Sequence, residues 1–147
     1  MYIVAQAAES SSGLAVAAFL AGRALFAWFF LTAGYGHLTN INGMAQYAAM
    51  NKVPAPKLAV AGTGVILLAG GLSILLGFYV PIGSLLLVVF LVPTAFMMHK
   101  FWGLSDAMAA AGQRAHFWKN ITLAGAALLI FYFATLHPEA WVYSLGR

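Results

Sequence analysis

The chain is 147 residues long, the length of one domain, and 63% of it is hydrophobic while only 7% is charged. A water-soluble domain carries about 25% charged residues, so seven Lys and Arg against three Asp and Glu cannot solvate a compact surface. This balance excludes a soluble globular enzyme and a disordered tail. The net charge of +4 comes without any basic run, which excludes a nucleic-acid binder. With no cysteine there is no disulfide, no thiolate nucleophile and no thiolate-held metal or iron–sulfur cluster. What remains is an integral membrane protein built as a single membrane domain, 1–147.

A helix needs about 20 mostly apolar residues to cross a bilayer, and four runs qualify. The first covers about 14–37 and holds one charge, Arg23. Glu9 and Ser10–Ser12 precede it and no basic segment does, so it reads as a retained span rather than a cleaved leader, with Ser11 or Ser12 capping its helix. The second run, 58–79, and the third, 81–98, carry no charge. The break between them centres on Pro81, whose missing N–H suits the first turn of a new helix. Pro93 should bend the third span. The fourth run is 117–136, with Lys119 in its first turn. In the second span Ala69, Ser73 and Gly77 recur every four residues, which lets a neighbouring backbone come close.

Two loops hold most of the polar content. In 38–57 a short helix is predicted over 43–51, capped by Asn42, with Met44, Tyr47 and Ala48 on one face and Val53-Pro54-Ala55-Pro56 ending it. It reads as a helix lying on the membrane surface. In 99–116, Ser105-Asp106 starts a second short helix, 105–111, with Asp106 at the positive end of its dipole and Gly112 stopping it. The expected fold is an all-α integral membrane protein, an up-down-up-down four-transmembrane-helix bundle with two short interfacial helices. Lys52, Lys57, Lys100, Arg114 and Lys119 lie on the loop side, Arg23 and Arg147 on the terminal side. The positive-inside rule then puts loops 38–57 and 99–116 in the cytoplasm and the termini outside.

Three histidines mark the loop-side ends: His37 closes span one, His99 span three, and His116 opens span four, at depths expected to be similar. Facing histidines can hold a haem or a zinc ion, but no spacing motif supports either, and no metal is assigned. The runs His99-Lys100-Phe101-Trp102 and Phe117-Trp118-Lys119-Asn120 meet at one interface. The plain reading is an aromatic belt with snorkelling lysines. The functional reading is a head-group pocket for a quinone or another lipid. In it Lys119 and Asn120 donate to a carbonyl oxygen, His37 or His99 carries a proton, and Tyr47, Trp102 or Phe117 packs on a ring. A purely structural version has Lys119 donating to the end carbonyls of a neighbouring span, with Asn120 completing the network. On the other side, Arg23 is expected to pair with Glu139 or a lipid phosphate. The spans hold no acidic residue, which argues against an ion pump or coupled transporter.

These features together resemble the DoxX family of small four-helix prokaryotic membrane proteins. The matching residues are Arg23, Ala33-Gly34-Tyr35-Gly36-His37-Leu38, Tyr47 with Val53-Pro54-Ala55-Pro56, Gly70-Gly71, Leu76-Gly77, His99-Lys100-Phe101-Trp102, Phe117-Trp118-Lys119-Asn120 and Leu123-Ala124-Gly125. The likeness covers roughly Arg23 to Leu136. One departure is His37, where the family usually has Lys, so that a permanent cation becomes a titratable one.

The resemblance implies a multi-pass protein of a prokaryotic cytoplasmic membrane that anchors or supports a larger assembly, with lipid and other protein subunits as partners. The alternative it implies is a quinone-reactive membrane subunit of an oxidoreductase, of the thiosulfate:quinone kind. A small-solute transporter fits less well. No intrinsic cofactor is expected beyond a quinone or lipid, and redox activity would need partner subunits.

Overall fold

The computed structural model describes residues 2–138, 141, 144 and 145, with side chains from Gly13 onward. It contains five helices: α1 (Tyr2–Thr39), α2 (Ile41–Met50), α3 (Pro56–Leu76), α4 (Val80–Met98) and α5 (Ala107–Leu136). Gly13–Thr39 of α1, and all of α3, α4 and α5, are long and apolar enough to cross a membrane. The described residues contain no strand.

Several boundaries differ from those read in the sequence. Helix α1 starts at Tyr2, so Ser11 and Ser12 lie inside it instead of capping it. Helix α2 starts after Asn40, and Asn42 is within its first turn. The expected helix over 105–111 and the fourth span are one helix, α5, which runs through Gly112. A glycine inside a helix costs about 1 kcal/mol against alanine, and good helix formers on both sides (Ala107 to Ala111, Gln113 to Ala115) outweigh that. The structure therefore has one short helix and not two. Asp106 does cap α5, its Oδ1 accepting from the Ala109 N–H at 2.6 Å.

The turn from α3 to α4 takes three residues. Gly77 closes α3 in the left-handed region at φ 67°, Tyr79 follows at φ 48°, and Pro81 sits in the first turn of α4. Ser73 Oγ shares its proton between the carbonyls of Phe78 at 2.7 Å and Tyr79 at 3.1 Å, which holds the turn shut. Helix α4 stays continuous through Pro93.

Helix α3 is the central element, packed against α1, α2 and α4, and α5 packs on α4. Close approach depends on glycines. A Cβ on Gly64 would lie 2.7 Å from Leu38 Cδ2, and one on Gly71 3.0 Å from Leu31 Cδ2, both of α1. One on Gly70 would lie 2.6 Å from Leu87 Cδ2 and 3.0 Å from the Gly83 carbonyl of α4. Of the row expected to make such contacts, Ser73 does abut Gly83 but Ala69 is exposed. The core joins Ala27 and Phe30 of α1, Leu67 and Ile74 of α3, Leu87 and Leu91 of α4, and Ala124 and Ala127 of α5. A smaller cluster of Ala45, Ala48, Val60 and Met98 seats α2 across the loop-side ends of α3 and α4.

At the opposite end, Leu145 N–H donates to the Leu76 carbonyl at 3.0 Å and Trp141 packs edge-on to Phe19. A cavity of about 270 Å³ lies there between Gly77, Val80, Pro81, Ala134, Thr135, Pro138, Trp141 and Ser144, with no charged residue among the described residues of its wall.

The glycine contacts make a prediction. Gly70→Val should lower stability by about 1–3 kcal/mol through overpacking. Gly62→Ala, with nothing within 4 Å of its Cβ, should be neutral or stabilising. Thermal unfolding in detergent compares the two, and equal melting temperatures would contradict the packing described.

Candidate functional site

The buried stripe of α5 reads Phe117, Asn120, Ala124, Ala127 and Ala134, a helical spacing that turns one face to the core. Asn120 is the polar member of that stripe and is 5% exposed. Among the described residues its carboxamide makes no hydrogen bond. Such a group has two donors and an acceptor oxygen, and leaving a buried one unmet costs about 1–3 kcal/mol. Nor is it sealed off: the side-chain atom that is both sealed and unpartnered among the described residues is Trp141 Nε1.

Lys119 precedes it and is exposed. Its ammonium stands 5.4 Å from the centroid of the Phe29 ring of α1, a cation–π contact that bridges α1 and α5. Among the described residues Lys119 makes no hydrogen bond to a helix-end carbonyl, so the structural role expected of Lys119 and Asn120 is not what the structure shows. Phe117, one turn above Asn120, centres an aromatic cluster with Phe96 at 5.2 Å, Phe101 at 5.5 Å, Trp102 at 5.9 Å and Trp118 at 5.4 Å.

His99, at the end of α4, joins three elements. Its Nδ1 lies 3.0 Å from Gln113 Oε1 of α5. Gln113 Nε2 in turn donates to the Tyr47 hydroxyl of α2 at 3.4 Å. The His99 ring stacks on that of His116 at 5.2 Å and 26°. Burial holds the His99 imidazole below its ordinary value; the hydrogen bond to Gln113 opposes this, and the charges of His116 and Lys119 add to it. Gln113 was not among the residues the sequence singled out, since a lone glutamine in a polar stretch carries no signal.

His37 is placed apart from this group. Its Nδ1 lies 3.0 Å from Thr63 Oγ1 of α3, and its ring meets Phe90 of α4 edge-on at 5.8 Å. Phe90 precedes His99 by nine residues, or about 13 Å of helix. His37 is thus deeper than His99 rather than level with it, because the register between α1 and α4 sets its depth. Among the described residues no three His or acidic side chains gather as a metal site.

Glu139 lies outside the described residues, so its expected pairing with Arg23 does too. The buried Arg23 donates from Nε to the Ile74 carbonyl at 2.8 Å, and from Nη2 to that of Leu75 at 2.6 Å. These are end carbonyls of α3, at the negative end of its dipole, where a cation is favoured. The guanidinium also lies 5.7 Å from the Trp141 ring centroid.

Four apolar spans with a polar, aromatic-rimmed site at one end define a small multi-pass membrane protein. The DoxX family model matches residues 18–100, more than half of the chain. The chain is 36% identical over 132 residues to the inner membrane protein YqjF of Escherichia coli (strain K12), covering 87% of this chain and 88% of that one. It is 29% identical over 111 residues to the inner membrane protein YphA of the same organism, covering 76% and 79%. The chain belongs to the DoxX family. No solved structure matches it.

The depressed His99 value has a stability consequence. A histidine whose folded value lies below the unfolded 6.5 contributes fully above that pH. The contribution is lost as pH falls through 6.5 toward the folded value, because the unfolded chain binds the extra proton. The melting temperature in detergent should therefore fall between neutral pH and about pH 5, and His99→Gln should flatten the fall. An equal slope in both proteins would contradict the assignment.

Proposed function

We propose that this DoxX-family protein holds the head group of a bilayer-soluble carbonyl compound, of the quinone class, at the loop-side end of its bundle. In this reading it is the membrane-embedded, ligand-binding subunit of an assembly whose other subunits exchange electrons with that ligand. The observation that carries the reading is the buried Asn120 carboxamide without a partner among the described residues. The Lys119 ammonium of the next residue lies over a ring and makes no hydrogen bond among the described residues. Two donors without protein acceptors suit a neutral carbonyl oxygen, and the rings around Phe117 suit an aromatic or quinoid body. The positive loop side, with Lys52, Lys57, Lys100 and Arg114, supports placing this site at the cytoplasmic face of a cytoplasmic membrane. The inner membrane location in the names of both relatives agrees.

Decylubiquinone binding to the detergent-purified protein tests this. Asn120→Leu and Lys119→Met should each weaken binding about tenfold, the loss of one hydrogen bond to a carbonyl. Asn120→Leu should also leave the melting temperature unchanged or raise it, because an unmet buried amide is replaced by an apolar side chain of similar size. Lower stability with unchanged binding would make the amide structural and the reading wrong.

A further inference from the structure

Three elements converge on the His99 imidazole, and their hydrogen-bond chemistry selects one of its two neutral forms. At the far end of the Gln113 side chain Nε2 donates to the Tyr47 hydroxyl. That leaves Oε1 facing His99 Nδ1 at 3.0 Å. An amide oxygen can only accept, so Nδ1 carries the proton and Nε2 of the neutral ring keeps its lone pair. The groups that face this ring are His116 and Lys119 from α5 and Tyr47, through Gln113, from α2. Asp106, the acidic residue of the segment between α4 and α5, accepts from the Ala109 N–H. His116 is exposed, and its ring stacks on that of the half-buried His99.

We infer that Gln113 is a positioning residue: by locking His99 in its Nδ1–H form it makes Nε2 the proton-exchanging atom of the loop-side site, with His116 as the link to water. The inference rests on the proposed ligand for what the proton serves, whereas the lock itself does not depend on any ligand. The proton balance is simple. Nε2 takes a proton from the water side, the ring becomes imidazolium, and it returns to the neutral Nδ1–H form when Nε2 gives that proton to an oxygen at the site. No electron moves on His99. Tyr47, on a different helix, accepts from the far end of the Gln113 amide.

The test is a long-range proton–nitrogen correlation spectrum of histidine-labelled protein in micelles, with His99 assigned through His99→Gln. Neutral His99 should be in the Nδ1–H form in the wild type and should shift toward Nε2–H in Gln113→Leu. Gln113→Glu, whose carboxylate can only accept, should keep the Nδ1–H form and move the titration of His99 to higher pH. Decylubiquinone binding should follow His99 protonation in the wild type and move to higher pH with it in Gln113→Glu. An Nε2–H ring in the wild type, or no change in Gln113→Leu, would overturn the lock. A locked ring with binding that ignores pH in both proteins would overturn the proton-exchange role. Absence of decylubiquinone binding at every pH would remove the ligand and the proton's purpose together, while the spectrum would still decide the lock.

Discussion

A bilayer core offers no hydrogen-bond partners, so a polar group inside a span must find its partner in protein. Among the described residues most buried polar groups follow this constraint, and two do not: the Trp141 indole N–H and the Asn120 carboxamide. Arg23 spends its donors on the end carbonyls of α3. Ser84 returns its hydroxyl to the Val80 carbonyl one turn back, at 2.8 Å. Asn120, equally buried, has no such partner among the described residues. The half-buried Thr63 and the exposed Thr32 and Thr135 also bond back to their own helices. Against that background the Asn120 amide, without a partner among the described residues, is the observation on which the proposed ligand site rests.

The same constraint explains the division of the molecule into two ends. At the terminal end Arg23 bonds to carbonyls of α3, Trp141 packs against Phe19, and Leu145 bonds to Leu76. At the loop end His99, Gln113 and Tyr47 are joined by hydrogen bonds, while Lys119 and Asn120 bond to no oxygen atom among the described residues. Helix α3 makes the arrangement rigid. Its glycines bring α1 and α4 to backbone distance on separate faces, and the cluster around Val60 holds α2 over the loop-side ends. Small residues serve this purpose in membranes because helices there associate through close packing rather than water exclusion.

Span number and placement were legible from the lengths of the apolar runs, and the α3–α4 turn from Pro81 and the glycine before it. The Asp106 cap was legible as well. The continuity of α5 was not, since Gly112 looks like a stop unless the helix formers on both sides are weighed against it. Helix-end carbonyls were expected for Lys119, whereas the structure puts Lys119 over a ring and Arg23 on the carbonyls at the end of α3. Backbone carbonyls have no signature in a sequence, so their availability at the end of α3 could not be read. The depth of His37 and the role of Gln113 both depend on the register between helices far apart in the chain, which the local pattern does not encode.

The central claim is that the Asn120 carboxamide is free in the protein and taken up by a carbonyl ligand. Side-chain amide spectra of asparagine-labelled protein address it directly, because the chain has four asparagines, Asn40, Asn42, Asn51 and Asn120. On addition of decylubiquinone the Asn120 amide protons should move to the positions of hydrogen-bonded donors while the other three pairs stay in place. An Asn120 amide that is already hydrogen-bonded without ligand, or that does not respond to it, would contradict the account.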